Sequence, residues 1–441
     1  MTKNKLFLVS LGCDKNRVDS ERMLGLLEAS GFSFTDDEYE ADVIVVNTCC
    51  FIDDAKAESI DSILEMAAMK TEGKCKKLVV AGCLSERYQD EILSEFPEVD
   101  AYIGTHDLTE IIQACALEDE TLEIPSISPD RIMTTPGHYE FLKIAAGCNK
   151  YCTYCIIPYI RGKYQSYPIN SLIEEAKRLV QNGVKELILV AQETSIYGKD
   201  LYGKECLPKL LVALCEIPGL EWIRVLYCYP EDITDTFLMV MANEPKICHY
   251  IDMPIQHASD RILKKMGRKT SHDDLVRVIE KARRMIPDIV LRTTLISGFP
   301  SETEEDHKEL CDFVREMRFD HLGVFPYSQE EGTPAAKMPE QIDDAVKIER
   351  RDAIMQIQEE IAAEKMAYYI GAEFTVLIDG YLPDEDIYVG RTYMDAPEVD
   401  GFFYVKADRE LNTGDMIHAK CCEANAYDLY GEMIDNDEST K

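Results

Sequence analysis

The sequence predicts an α/β protein that ends in a small all-β domain. Three observations predict it. Val- and Ile-rich runs alternate with amphipathic helices over the first 120 residues. Six more strand-and-helix repeats follow from residue 141. From residue 371 the helices stop and short strands take over. Apolar strands set between amphipathic helices mean parallel sheets covered on both faces. A chain of 441 residues is too long for one core, so several domains are expected.

The first domain spans 1–120. "KLFLVSLG", "ADVIVVNT" and "KKLVVAG" read as strands, each followed by an amphipathic helix. "DAYIGT" and "DLTEIIQACAL" form a weaker fourth pair. One cysteine follows each of the first three strands: Cys13 in "LGC", Cys49 in "NTCC" and Cys83 in "AGC". The carboxyl ends of parallel strands line one edge of the sheet, where ligands bind. All three cysteines are expected in loops on that edge. Cys50 and Cys75 lack this repeating placement and read as bystanders.

Residues 121–140, "TLEIPSISPDRIMTTPGHYE", have no periodicity and three prolines, and read as a linker. Between 141 and 340, "FLKIAA", "KELILVA", "WIRVLY", "HYIDMP", "IVLRTTLI" and "HLGVFPY" give six strands with helices between them. Six parallel βα units predict a partial (β/α)6 barrel of the TIM type. Its first helix is expected to open at Ser171, with Glu174 completing a capping box. Residues 341–370 read as one helix ending at Gly371. Five short strands over 371–441 read as an antiparallel β-barrel.

Hydrophobic residues make up 46% of the chain, as in globular proteins. The longest apolar runs are too short to span a bilayer, and the amino terminus lacks a signal peptide's apolar core and cleavage site. A cytoplasmic location is the default, and there sixteen cysteines are not a disulfide framework. Net charge is −35, and residues 371–441 hold 17 Asp and Glu against 5 Lys and Arg. A nucleic-acid binder neutralises phosphates with a basic face, so a broad nucleic-acid surface is excluded. An acidic protein steers basic partners instead.

Cys148, Cys152 and Cys155 in "AAGCNKYCTYCIIP" carry the strongest chemical signal. A structural zinc site wants four ligands, and a closed iron–sulfur cubane wants four cysteines. Three thiolates on one loop can hold three irons and leave the fourth open to a substrate or cofactor. An electron carrier closes its coordination shell, so the open set argues for catalysis. The loop follows a barrel strand, at the face where barrel active sites lie.

C-x3-C-x2-C with Tyr154 before the last cysteine resembles the hallmark of radical S-adenosylmethionine enzymes. The whole chain resembles the methylthiotransferase family. "SLGCDKNRVDSE", "VNTCCFIDDAKAESI" and "AGCLSERY" resemble its N-terminal cluster domain. "GCNKYCTYCIIPYIRGKY" resembles its radical domain, and the segment with "YDLYGE" its C-terminal TRAM barrel. "RTYMDAPEVDG" resembles the branch that modifies ribosomal protein uS12 at the β-carbon of an aspartate. The tRNA-adenosine branch is the alternative, and the acidic C-terminal domain argues against it.

The resemblance implies two [4Fe–4S] clusters and S-adenosylmethionine as radical source and methyl donor. One cluster would sit on Cys148, Cys152 and Cys155, the catalytic set. An auxiliary cluster would sit on Cys13, Cys49 and Cys83, with Cys49 rather than Cys50 chosen by its place in "NTC". Tyr154, Gln192, Gln256, Arg268 and Gly298 are the cofactor-binding candidates. Gly298 lies in "TTLISGFPSET", which resembles the family's segment beside the adenine. The partners implied are uS12, a basic protein substrate, and a reductase such as flavodoxin or ferredoxin. No membrane partner is implied.

Overall fold

A computed structural model of the chain describes residues 4–117, 122–125 and 129–434. Two compact units make up the fold. One runs to Thr134 and adds Ala146–Gln165 and Ser328–Ala336. The other holds Thr135–Ala145, Ser166–Tyr327 and the chain from Lys337 onward.

The first unit is built on strands β1 (Lys5–Ser10), β2 (Ser33–Phe34), β3 (Val43–Thr48), β4 (Lys77–Gly82) and β5 (Ala101–Ile103). Helices α1 (Asp14–Ala29), α2 (Asp53–Glu72), α3 (Cys83–Glu95) and α4 (Glu110–Cys115) connect them. All pairs are parallel, in the order β2-β1-β3-β4-β5. The central strand β3 is buried along its whole length. Ile44 and Val46 pack into one apolar cluster with Ile63 and Met66 of α2. Val43 and Val45 point the other way, to Leu24 and Leu27 of α1. This alternation is the period-two geometry of a strand covered on both faces. The two-residue edge strand β2 is not among the expected strands; it is too short to leave a periodic signal.

The expected linker 121–140 is only partly a linker. Residues 121 and 126–128 lie outside the described residues. Buried Glu21 of α1 holds the later part, accepting from Arg131 at 2.7 Å and from the Thr134 amide and hydroxyl at 2.8 Å. Tyr139 already begins β6 (Tyr139–Lys143).

After β6 come β7 (Ala145–Ala146), α5 (Ile157–Ile160), β8 (Gln165–Ser166) and α6 (Ile169–Gln181). β9 (Glu186–Val190), α7 (Lys199–Tyr202) and α8 (Leu207–Cys215) follow, then β10 (Trp222–Val225) and α9 (Asp235–Asn243). β11 (Ile247–Asp252), α10 (Asp260–Lys265), α11 (His272–Met285), β12 (Val290–Ser297), α12 (Glu304–Met317) and β13 (His321–Pro326) complete the repeats. The six expected strands pair in parallel in the order β13-β12-β11-β10-β9-β6. The sheet is the open, partial barrel that six βα units allow.

The capping box at Ser171 and Glu174 is not formed. α6 starts two residues earlier, behind Pro168, whose φ of −60° already suits the helix. The first-turn amide of Ile169 donates to the Tyr202 hydroxyl at 3.0 Å, so the helix start is satisfied without Ser171. Capping boxes form instead at Ser271 with Asp274 and at Thr303 with Asp306.

The connecting helix α13 (Asp344–Tyr368) leads to β14 (Glu373–Leu382), β15 (Ile387–Arg391), β16 (Phe403–Lys406), β17 (Met416–Ala424) and β18 (Leu429–Met433). These five close a barrel in the order β14-β15-β16-β18-β17. Residues 435–441 of the expected domain lie outside the described residues. The barrel is not wholly antiparallel, because β16 and β18 run parallel. A closed ring with an odd number of strands cannot alternate direction all the way round.

"RTYMDAPEVDG" is a buried plug at the amino end of the six-stranded sheet. Arg391 donates to Glu186 and Arg224 donates to the same carboxylate, each at 2.7 Å. Arg391 also forks onto Asp379 at 2.8 and 3.0 Å. Glu186 begins β9 and has no solvent exposure. Burial opposes its charge, but Arg391 and Arg224 hold the carboxyl below the usual range. Asp400 accepts from the Tyr250 hydroxyl at 2.6 Å on the same base.

Glu186→Gln leaves the buried Arg224 guanidinium facing a neutral partner, while Arg391 keeps Asp379. A loss of about 3–5 kcal/mol is expected in equilibrium unfolding, the usual cost of breaking a buried pair from one side. Asp395 should show the opposite behaviour with pH. Burial raises its carboxyl to about 6, although His321 beside it works the other way. The folded state therefore holds this proton more tightly than the unfolded chain. The stabilisation is full below about pH 4 and is lost as pH rises through about 6. Denaturant midpoints across that window should favour Asp395→Asn over wild type progressively as pH increases.

Candidate functional site

The three strand-end cysteines converge because their strands are neighbours. β1 pairs with β3, and β3 with β4. The order is that of a doubly wound sheet whose switch point, between β1 and β3, is a ligand-binding edge. Cys13 caps α1 and is exposed; Cys49 and Cys83 are buried. Cys83 is not in a loop, as expected, but is the first residue of α3. The strand passes straight into the helix through Gly82, at φ +96°. A side chain there would reach within 2.3 Å of Asn47 Oδ1. Gly12, at φ +86°, lies against Cys49, and a Cβ there would stand 2.7 Å from that of Cys49. Both glycines in "LGC" and "AGC" are therefore demanded by the close approach.

The three thiols feel one another. Burial pushes Cys49 up to about 12, with Cys13 and Cys83 adding to the rise. Cys83 is also raised by burial, against the pull of Arg161. Cys50 is fully buried, and its thiol donates to the Cys83 carbonyl at 3.1 Å; burial pushes it up to about 12, with Cys83 and Cys49 adding to the rise. Cys75 sits in the same apolar cluster as Cys50.

Cys148, Cys152 and Cys155 lie on a loop of the same unit. The Cys148 amide donates to the Gly162 carbonyl at 3.1 Å, closing the base of the loop. Gly147, at φ +77°, lies so close to residues 162 and 163 that a Cβ would meet the Lys163 carbonyl at 2.3 Å. The Cys155 amide donates to the Cys152 carbonyl at 3.0 Å, and the Lys150 amide to Cys148 Sγ at 3.5 Å. Burial raises the Cys155 thiol, and Cys152 and Cys148 raise it further. Tyr154 between them is half-buried. The Ala335 amide, from the loop after β13, donates to the Thr153 carbonyl at 2.8 Å.

Both sets fit a cubane held by three cysteines: three grouped thiols each, glycines for close approach, and burial of Cys49, Cys83, Cys148 and Cys152, with Cys13 exposed. Among the described residues, no three His, Cys, Asp or Glu side chains converge tightly enough for a single ion. A cubane asks for less, since each thiolate binds its own iron.

Of the cofactor candidates in the second unit, Gln192, Gln256 and Gly298 follow strands, and Arg268 follows α10. Gln192 follows β9, and its side-chain oxygen is shut from solvent with no hydrogen-bond partner among the described residues. A buried acceptor left in this state suits a ligand that brings a donor. Gln256 follows β11 with φ +72° and exchanges backbone bonds with Thr294 and Ile296, beside β12. Arg268 covers the Tyr229 ring at 4.3 Å and donates to the Pro254 carbonyl at 2.8 Å. Its stacking and its carbonyl bond join the ends of β10 and β11. Gly298, at φ +69°, is required by packing, because a side chain there would strike Lys347 of α13 within 2.3 Å.

Sequence reasoning missed the polar floor beneath Cys13, Cys49 and Cys83. Asn16, Asp19 and Ser20 of α1 face inward, and Asn47 of β3 donates to the Asn16 carbonyl and to the Ser20 hydroxyl. Arg161 completes it. The spacing of 16, 19 and 20, one helical turn after Cys13, was the available signal.

Residues 5–104 match the uncharacterized protein family UPF0004, 142–314 the radical SAM superfamily and 370–434 the TRAM domain. The ribosomal protein uS12 methylthiotransferase RimO of Lachnoclostridium phytofermentans is 55% identical, over 97% of this chain and 99% of that protein. Its namesake in Clostridioides difficile is 48% identical, over 98% and 99%. Among solved structures, the radical S-adenosylmethionine methyltransferase TsrM of Kitasatospora setae is 15% identical. It matches with a TM-score of 0.56, over 76% of this chain and 77% of that one. The radical enzyme OxsB matches with a TM-score of 0.51 at 13% identity, over 80% and 56%. These two likenesses concern the fold alone. The modules, their order and the full-length likeness together make this chain a member of the ribosomal protein uS12 methylthiotransferase family of radical SAM proteins.

Proposed function

We propose that this chain is a radical S-adenosylmethionine methylthiotransferase that modifies an aspartate β-carbon of ribosomal protein uS12. The observation that carries this reading is the pair of three-cysteine sets in one compact unit, in a chain more than half identical to a named relative. One set, Cys148, Cys152 and Cys155, would hold the cluster that binds S-adenosylmethionine. The other, Cys13, Cys49 and Cys83, would hold an auxiliary [4Fe–4S] cluster.

When bound, these groups supply hydrogen-atom abstraction, sulfur and a methyl group, which side chains alone cannot. The chain's residues do the rest. Each trio would supply three thiolates to its cluster, and a cluster held so would have room for cofactor or sulfur. Burial around Cys49, Cys83, Cys148 and Cys152 keeps water from reactive species. Gln192 and Gln256 after their strands, Arg268 after α10, and Tyr154 on the cysteine loop are the residues proposed to orient S-adenosylmethionine. The Gly298 turn would shape the adenine side. Charge supports the substrate class: 82 acidic against 47 basic side chains draw in a basic protein. A flavodoxin or ferredoxin is the proposed electron source, in the cytoplasm with the ribosome. No helix among the described residues is long and apolar enough to cross a membrane.

Two measurements test this reading. Intact-mass analysis of uS12 from cells with and without the gene should show a methylthio-sized increment only when the gene is present. An unchanged uS12 mass removes the substrate, and the tRNA adenosine becomes the place to look. Iron analysis separates the adjacent cysteines. Reconstituted wild type should hold about eight irons per chain, as two cubanes require. Cys49→Ala should fall to about four, whereas Cys50→Ala, which loses only a buried packing thiol, should keep about eight. The reverse pattern would exchange the two assignments.

A further inference from the structure

Arg161 belongs by sequence to the radical cysteine loop, six residues after Cys155, yet its side chain serves the other cysteine set. It is 6% exposed. Nε and Nη2 both donate to Cys83 Sγ, at 3.3 and 3.1 Å. Nη1 donates to Asp19 at 2.6 Å, and Nη2 also donates to Asn16 Oδ1 at 2.9 Å. Asp19 and Asn16 are themselves buried on α1, within two turns of Cys13. Asn16 is pinned in turn, donating to the Leu11 carbonyl at 2.6 Å. The guanidinium fork is therefore aimed by two fixed acceptors at one sulfur.

A buried cation needs a reason. Asp19 alone would neutralise it, and two apolar residues in place of the pair would avoid the desolvation cost altogether. What a simple ion pair does not explain is why two N–H groups point at a thiol sulfur, a poor acceptor when protonated. As a thiolate the same sulfur is a strong acceptor. The arrangement is therefore complementary to a ligating Cys83 and not to a resting one. Outer hydrogen bonds to ligand atoms orient the ligand, and those to cluster sulfurs set reduction potential. Arg cannot lose its proton, so this compensation is constant across the working pH range.

Resting on the reading that Cys13, Cys49 and Cys83 hold an auxiliary cluster, we propose that Arg161 is its positioning residue. It orients the Cys83 sulfur for ligation, offsets the buried negative charge of the site, and tunes the cluster's potential from the segment that carries the other cysteine set. Arg161 touches no reacting atom. It keeps the ligand set and the charge of the auxiliary site in place.

The test uses full-length protein in which Cys148, Cys152 and Cys155 are replaced by alanine, so that only the auxiliary site can be loaded. With Arg161 intact, this protein should hold about four irons per chain. Adding Arg161→Met keeps an unbranched, flexible side chain but removes the charge and the fork. Resistance of its iron to a chelator should fall about 10- to 100-fold, the usual effect of losing a partner of a metal ligand. The midpoint potential of the remaining cluster should move lower. Arg161→Lys keeps the charge without the fork and should lie between the two. Thermal unfolding of the iron-free proteins reports whether the fold survives each change. Folded Arg161→Met protein with unchanged iron retention and unchanged potential overturns the proposal. Absence of iron in the triple-alanine protein with Arg161 intact overturns the auxiliary-cluster reading itself, and this proposal with it.

Discussion

Everything in the first unit depends on one constraint of parallel sheets: every strand delivers its carboxyl end to the same edge. Cys13, Cys49 and Cys83 are about 35 residues apart in the chain, and no local structure could bring them together. The neighbouring placement of β1, β3 and β4 does so with rigid elements, and the glycines before Cys13 and Cys83 allow the backbones to close in. A site built on strand ends is held more firmly than one built on loops. Burial there makes the Cys49 and Cys83 thiols reluctant to ionise.

The cysteine loop solves the same problem differently. Its three thiols come from eight consecutive residues, so closeness is local and costs little chain entropy. What the loop needs is a fixed base, and the bonds at Gly147, Gly162 and Thr153 provide it. Two kinds of cysteine placement therefore coexist in one unit: one assembled over a whole sheet, the other in a single turn of chain. Arg161 joins them, since it leaves the local loop and ends on the assembled set.

The C-terminal barrel has its own anchor. Glu186, at the start of a sheet strand, is gripped by Arg224 of the next strand and by Arg391 of the barrel. "RTYMDAPEVDG" carries the resemblance to the uS12 branch. In the fold it is largely buried structure, with Arg391, Thr392, Met394, Asp395 and Ala396 turned inward. A segment can mark a branch because its packing is particular, without touching the substrate.

Much of this was legible in the sequence. Strand runs such as "VIVVNT" are unambiguous because a strand buried on both faces needs continuous apolar residues. The cysteine loop was legible because its cysteines are neighbours in the chain. Errors came where competing local signals were close in strength. Ser171 lost to Pro168 as the start of α6, and Cys83 moved from loop to helix because Gly82 permits an abrupt join. The parallel pairing of β16 and β18 follows from closure, which no strand carries in its own residues. By itself, then, the sequence determined most of the elements and the cysteine loop, which rest on periodicity and spacing along the chain, and its motifs carried the family resemblance. Only the tertiary structure decided which thiol of Cys49 and Cys50 faces Cys13, and that Asn16, Asp19 and Arg161 floor the site. Contacts between residues as far apart as 19 and 161 depend on how the sheet is ordered, and that order is written nowhere locally.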